Sequence, residues 1–348
     1  MESPRRTASL LNMKYTEEQV RDIISFVNLG LNGSTAKYPA GSKALIDMYF
    51  ESINRDKPML NIAEQLEGIL KKEIKKIPRP FGLYLSGGID SGILAALSKP
   101  DFAVTCRFEE GEKYDEYEYA DRIARHLRIP LRVVKPQKHT FEGFLNDAVK
   151  IIGKPINSVS IVPWYCLMAE TQGLTMINGE GADEQFGGYT RYLILKHVFE
   201  LYDQPELANY KPMLDSLFGD LHTKIIGVKS KADSVARAMS FEFRRTLPDV
   251  IFMENQLAKH FKVNFHQPFM SQAVKMFAKE IPMKHKVRGF ETKVLLREIA
   301  RKYLPPSVVD RKCKSGLVAP VNRWMGWMEK GEFDKTEYMD YQRKVLNI

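Results

Sequence analysis

The sequence predicts an α/β protein, a parallel doubly wound sheet followed by a mostly helical C-terminal half. Three observations carry this. From about residue 81 to 177, short apolar runs alternate with helix-period segments, the pattern of a parallel sheet covered on both faces. The first apolar run, Phe81-Gly82-Leu83-Tyr84-Leu85, leads directly into Ser86-Gly87-Gly88-Ile89-Asp90-Ser91 and then into Gly92-Ile93-Leu94-Ala95-Ala96-Leu97. From about Tyr192 onward the strand signal fades and helical spacing dominates. These shifts divide the 348 residues into an N-terminal extension (1–58), an α/β core (59–190) and a helical C-terminal part (191–348).

The elements follow in order. Residues 17–27 suit a short helix in the extension. Residues 59–77 form an amphipathic helix with Leu60, Ile62, Leu66, Ile69, Leu70 and Ile74 on one side and Lys71, Lys72, Lys75 and Lys76 outside; Pro78 and Pro80 end it. After the glycine turn and its helix, 102–108 reads as a second strand and 115–128 as a helix with the stripe Ala120, Ile123, Ala124 and Leu127. Residues 130–134 give a third strand, 141–152 and 163–171 two helices, and 174–177 a fourth strand. Further helices are expected at 193–202, 230–247, 256–262, 271–279, 290–303 and around Trp324.

Composition narrows the class. Hydrophobic residues make up 44% and charged ones 27%, as in a soluble globular protein. The net charge of +9 suits an anionic small molecule or a nucleic acid, and equally an ordinary basic surface. The three cysteines, Cys106, Cys166 and Cys313, are too few and too widely spaced for a disulfide framework or a zinc cluster. A reducing, cytoplasmic setting is expected. No apolar run has signal-peptide character or the roughly 20 residues a membrane span needs. The seven histidines lack metal-binding spacing and are expected to be structural or exposed.

Two loops carry chemistry. Ser86 to Ser91 join a strand to a helix through two glycines, which permit positive φ and bring backbone N–H groups close to a ligand. Free N–H groups and the positive helix end then favour an anion; an ordinary βα turn would look similar. Asp90 or Ser91 is expected to cap the helix. The second loop is Gly179-Glu180-Gly181-Ala182-Asp183-Glu184-Gln185-Phe186-Gly187-Gly188-Tyr189, with four glycines and three carboxylates just after the fourth strand. Ligands in such sheets bind outside the carboxyl ends of the strands, so both loops are expected at one crevice.

Ser86-Gly87-Gly88-Ile89-Asp90-Ser91 resembles the S-G-G-x-D-S pyrophosphate loop (PP-loop) of the ATP pyrophosphatases, and the second loop resembles the G-E-G-[S/A]-D-E-x-F-G-G-Y of asparagine synthetases. Near the C-terminus, Arg311-Lys312-Cys313-Lys314-Ser315-Gly316-Leu317-Val318-Ala319-Pro320 resembles their R-x-K-x-G-F-x-x-P. Weaker likenesses at Phe108-Glu109, Pro155-Ile156-Asn157-Ser158, Pro268-Phe269, and Lys293 with Arg297 fall in the same order, so the resemblance runs from about 60 to 325.

The resemblance implies an adenine nucleotide alpha hydrolase-like fold and an ATP-dependent, AMP-forming amide synthetase. Ser86, Gly87, Gly88, Asp90 and Ser91 would hold ATP and its pyrophosphate. Asp90 and Asp183 would bind magnesium, Glu180 would accept a proton, and Lys314 would stabilise developing charge. From the residues alone, Asp90 could also be a helix cap, Glu180 a carboxylate that orders its loop, and Lys314 part of a solvated basic turn.

Three departures stand out. Lys312 occupies the family's arginine position, leaving it as the alternative catalytic lysine. Leu317 replaces the usual Phe. Met270-Ser271 stands where Leu-Asp is usual, which leaves the acid substrate unspecified. The N-terminal cysteine of glutamine-dependent relatives has no counterpart at Glu2, so glutamine hydrolysis is not expected. The partners implied are ATP, a carboxylic acid, and ammonia or another amine; a separate amidotransferase could supply the ammonia. The rival reading is a related enzyme that modifies a nucleic acid or nucleobase, but that branch shares only the first motif.

Overall fold

The computed structural model describes residues 59–109, 116–190, 192–193, 234–289, 291–311, 319–325 and 335–348. The N-terminal extension and its expected helix, most of the helix expected at 193–202, and Lys312 and Lys314 lie outside the described residues.

The chain divides into two compact units, Met1–Lys57 with Phe186–Glu242 and Pro282–Val294, and Pro58–Gln185 with Phe243–Ile281 and Leu295–Ile348. In the first, Tyr192, Leu193, Val235, Ala238, Met239 and Val287 share a core with Tyr189 and Met283 at its edge. Burial there pushes the Lys286 ammonium down to about 8.

The second unit holds the sheet. Its elements begin with α1 (Met59–Ile74), β1 (Gly82–Tyr84), α2 (Ile89–Ser98), β2 (Phe102–Cys106), α3 (Tyr117–Leu127) and β3 (Leu131–Val134). There follow α4 (Lys138–Ile152), α5 (Ile161–Glu170), β4 (Thr175–Ile177) and α6 (Ala182–Phe186). Past α7 (Ser234–Phe241), which belongs to the first unit, and a π-helical turn (Glu242–Thr246) come α8 (Leu247–His260), β5 (Asn264–His266) and α9 (Gln272–Glu280). The remaining helices are α10 (Val294–Ala300), α11 (Pro306–Val309), α12 (Val321–Met325) and α13 (Lys335–Leu346).

The strand order is β3-β2-β1-β4-β5, and every pairing is parallel. Leu83 stands opposite Ala103 in β2 and opposite Ile177 in β4. Alternate side chains leave the sheet on opposite faces. Tyr84, Val104, Cys106 and Met176 enter one core with Phe141, Leu145, Val149, Trp164, Leu167 and Leu257. There α4 packs against α5, α8 and α13. On the other side α2 packs between α1 and α3, and α9 rests on α1. Two covered faces explain why β1, β2 and β4 are almost wholly apolar.

Three expectations need correction. The strand signal does not end with β4: Asn264-Phe265-His266 forms β5, with Phe265 opposite Met176. Three residues carry no readable period, and pairing with β4 decides their conformation. The helices expected at 230–247 and 256–262 are separated in sequence but not in the fold, because the backbone stays helical from Ser234 to His260 through the π-helical turn. Neither Asp90 nor Ser91 caps α2. Its N-cap is Gly88, in extended conformation (φ −84°, ψ 166°), and no side chain caps it. Among the described residues, no helix is long and apolar enough to cross a membrane.

Candidate active site

In a parallel sheet of this order the chain departs from β1 toward β2 on one side and toward β4 on the other. The gap between the loops that leave β1 and β4 is the topological switch point, where ligands of open α/β sheets bind. The two motif loops are the ones that leave these strands.

The first loop is tightly folded. Ser91 lies in the first turn of α2, 2% exposed, and turns its hydroxyl back into the loop. Its Oγ accepts the Ser86 N–H at 3.2 Å and lies 3.0 Å from the Ser86 Oγ. Gly87 has φ 79°, where a β-carbon is strained. A Cβ there would also stand 2.7 Å from the Glu116 carbonyl oxygen and 3.0 Å from the Ala120 nitrogen. The loop therefore rests on the start of α3. Asp90, 4% exposed, occupies the first turn of α2.

The second loop abuts the first. A Cβ on Gly179 would lie 3.1 Å from the Ser91 nitrogen and 3.2 Å from the Asp90 Cβ. Backbone thus packs directly against Asp90 and Ser91, and a side chain at Gly179 would need its neighbours to give by a few tenths of an ångström. Glu180 and Asp183 are half-buried, with Asp183 in the first turn of α6. Gln185 holds the turn closed: its Nε2 donates to the Gly181 carbonyl at 2.9 Å and to the Phe269 carbonyl at 2.8 Å.

Gly181 has φ 84°, and a Cβ on it would lie 2.3 Å from the Met270 sulfur. Gly181→Ala should therefore cost about 1–3 kcal/mol through left-handed strain and the clash. A melting midpoint several degrees lower is the expected result; an unchanged midpoint would contradict the loop geometry.

Sequence reasoning missed the groups behind this loop. Glu254 on α8 is 0% exposed. It accepts the Gln267 Nε2 at 2.7 Å and the Asn178 Nδ2 at 3.3 Å. Burial, then the adjacent Glu180, raises its carboxyl well above the usual range. The only sequence signal was an acid on an otherwise apolar helical stripe, with Leu247, Met253, Leu257 and Ala258.

A second missed contact is the Arg311 Nη2 on the Glu116 Oε1 at 2.9 Å, with the guanidinium 3.9 Å from the centre of the Tyr119 ring. This fixes the last described residue before Lys312 beside the turn that carries Gly87.

The donor set suits magnesium. Among the described residues, no three His, Cys, Asp or Glu side chains form a ready metal cage. Two carboxylates from abutting loops, with the rest of the shell left to phosphate oxygens and water, make a hard oxygen set of the kind magnesium takes.

The structure thus brings Asp90 and Ser91, at the end of the Ser86, Gly87 and Gly88 turn, against the loop that bears Glu180 and Asp183. The comparisons bear on the family. A family model described as asparagine synthase covers residues 61–336. Asparagine synthetase (glutamine-hydrolyzing) 1 of Bacillus subtilis (strain 168) is 24% identical over 327 residues, covering 77% of this chain and 49% of the relative. Amidase chyE of Penicillium rubens is 28% identical over 156 residues, 37% of this chain and 23% of the relative. Amidase chry2 of Gibberella zeae is 29% identical over 134 residues, 32% of this chain and 20% of the relative. The chain spans about half the length of the synthetase it matches. With a five-stranded parallel sheet, both motif loops at its switch point and the family match across residues 61–336, the chain belongs to the asparagine synthase family.

Proposed function

We propose that this chain is an ATP-dependent ligase that activates a carboxylic acid as its acyl-adenylate and transfers the acyl group to ammonia or another amine. The observation that carries this reading is the contact of Gly179 with Asp90 and Ser91, which joins the phosphate-type loop to the carboxylate-bearing loop.

The acid's carboxylate oxygen attacks the α-phosphorus of ATP, the bond to the bridging oxygen breaks, and pyrophosphate leaves. Loop N–H groups and the hydroxyls of Ser86 and Ser91 hold the departing pyrophosphate. Asp90 and Asp183 are the residues that would hold magnesium, which when bound offsets the charge of the phosphates. The amine nitrogen then attacks the acyl carbon and AMP leaves with the electrons of the acyl–oxygen bond. Glu180 takes the proton the nitrogen loses. Lys314 offsets negative charge on the acyl oxygen or the phosphate.

The family match supports carbon–nitrogen ligation, and the name of the Bacillus relative makes L-aspartate with ammonium the first pair to try. The test is nucleotide chromatography of reactions containing ATP, magnesium and a panel of carboxylic acids, with and without ammonium or primary amines. Acid-dependent release of AMP and pyrophosphate is expected. ADP as the product would overturn the mechanism.

A further inference from the structure

Glu254 is a carboxyl group on a core-facing helical stripe, and it is completely buried. Such a group is costly unless its polar atoms are satisfied. Here its polar contacts come from the ends of β4 and β5 and from Glu180. Gln267, one residue past β5, donates to Oε2 at 2.7 Å. Asn178, one residue past β4, donates to Oε1 at 3.4 Å and to Oε2 at 3.3 Å. The same Asn178 uses its Oδ1 to accept the Glu180 N–H at 3.2 Å. The Glu254 carboxyl also hydrogen-bonds that of Glu180. Tyr84, the nearby phenol on β1, pairs instead with the Thr171 hydroxyl at 2.6 Å.

We propose that Glu254 is the positioning residue of Glu180, gripping its carboxylate directly and its backbone through Asn178. This rests on the reading of Glu180 as the proton acceptor. Two touching carboxyls do not both carry charge where water is excluded. Full burial keeps the proton on Glu254, so Glu254 donates and half-buried Glu180 holds the negative charge. A base aimed in this way loses rate, not ATP affinity, when its support goes. Glutamine reproduces the pattern: its amide N–H donates to Glu180 and its oxygen accepts from Gln267 and Asn178. Leucine fills the space and donates nothing.

The experiment compares full-length Glu254→Leu, Glu254→Gln and Glu180→Gln chains with the wild type. The assay uses ATP, magnesium, ammonium and the acid that gives the fastest AMP release, with L-aspartate tried first. Glu254→Leu should lower kcat about a hundredfold with the KM for ATP nearly unchanged. Glu254→Gln should recover most of that loss. An infrared difference spectrum needs no substrate: the wild type should show the carbonyl stretch of a neutral carboxylic acid that Glu254→Gln removes.

Wild-type turnover by Glu254→Leu alongside a crippled Glu180→Gln overturns the positioning role. Unimpaired Glu180→Gln overturns the reading of Glu180 as the base. If Glu254→Leu fails to fold, the decision passes to Glu254→Gln, and loss of its kcat or the absence of the infrared difference overturns the role. If no acid supports AMP release, the functional reading fails and the infrared band alone decides whether Glu254 is the donor.

Discussion

Asp183→Asn should reduce AMP release by about a thousandfold while leaving the melting midpoint near that of the wild type. The substitution keeps the shape of the side chain and removes only its charge. Asp183 is half-buried in the first turn of α6, so an amide there meets enough water to avoid a large folding penalty. Its loop is fixed from several directions: Gly179 against Asp90 and Ser91, Gly181 against Met270, and Gln185 across to Phe269. The backbone should therefore keep its place and the loss should be electrostatic. A polyanionic nucleotide with magnesium needs negative oxygen ligands from the protein, and Asp90 and Asp183 are the proposed ones. Asp90→Asn should be similarly damaging. A magnesium titration provides the check, with the variants expected to need far more magnesium for their residual turnover. Unchanged turnover by Asp183→Asn at limiting magnesium would sink the metal assignment.

The two motif loops were legible in the sequence because their determinants are local. Ser86 to Ser91 and Gly179 to Asp183 pack glycines, hydroxyls and carboxylates into a few consecutive positions, each just after an apolar run. The first four strands were legible for the same reason, since strands covered on both faces are short apolar stretches between polar turns. What escaped depended on distant partners. β5 is three residues with Asn264 and His266 at its ends, and it is a strand only because Thr175 to Ile177 offer it an edge. Glu254 meets Asn178 from 76 residues away, and a sequence window sees only an acid among apolar neighbours. Arg311 reads as one more residue of a basic cluster until Glu116 and Tyr119 stand beside it. The expected cap at Asp90 or Ser91 failed for a related reason: the Ser91 hydroxyl is engaged with Ser86, and the chain enters α2 two residues before Asp90, through Gly88.

Lys314→Ala should lower amide formation by about two to three orders of magnitude, while Lys312→Ala stays near the wild-type rate. The role proposed for Lys314 is to offset the charge that grows on the acyl oxygen or the leaving phosphate. The described residues on either side of these lysines are held in place. Arg311 is held by Glu116, whose carbonyl borders Gly87, and by the Tyr119 ring. Arg297 adds a bond from its Nη2 to the Arg311 carbonyl at 3.3 Å. On the far side Ala319 and Val321 are buried, and Trp324 packs edge-on against Phe108 at 5.6 Å and Phe141 at 5.2 Å. Amide formation should fall in Lys314→Ala with little change in the KM for ATP, because an interaction made mainly in the transition state leaves ground-state binding largely intact. A collapse in Lys312→Ala with Lys314→Ala intact would move the register by two residues. The reacting lysine would then follow Arg311 directly, and the ion pair with Glu116 would become its immediate support.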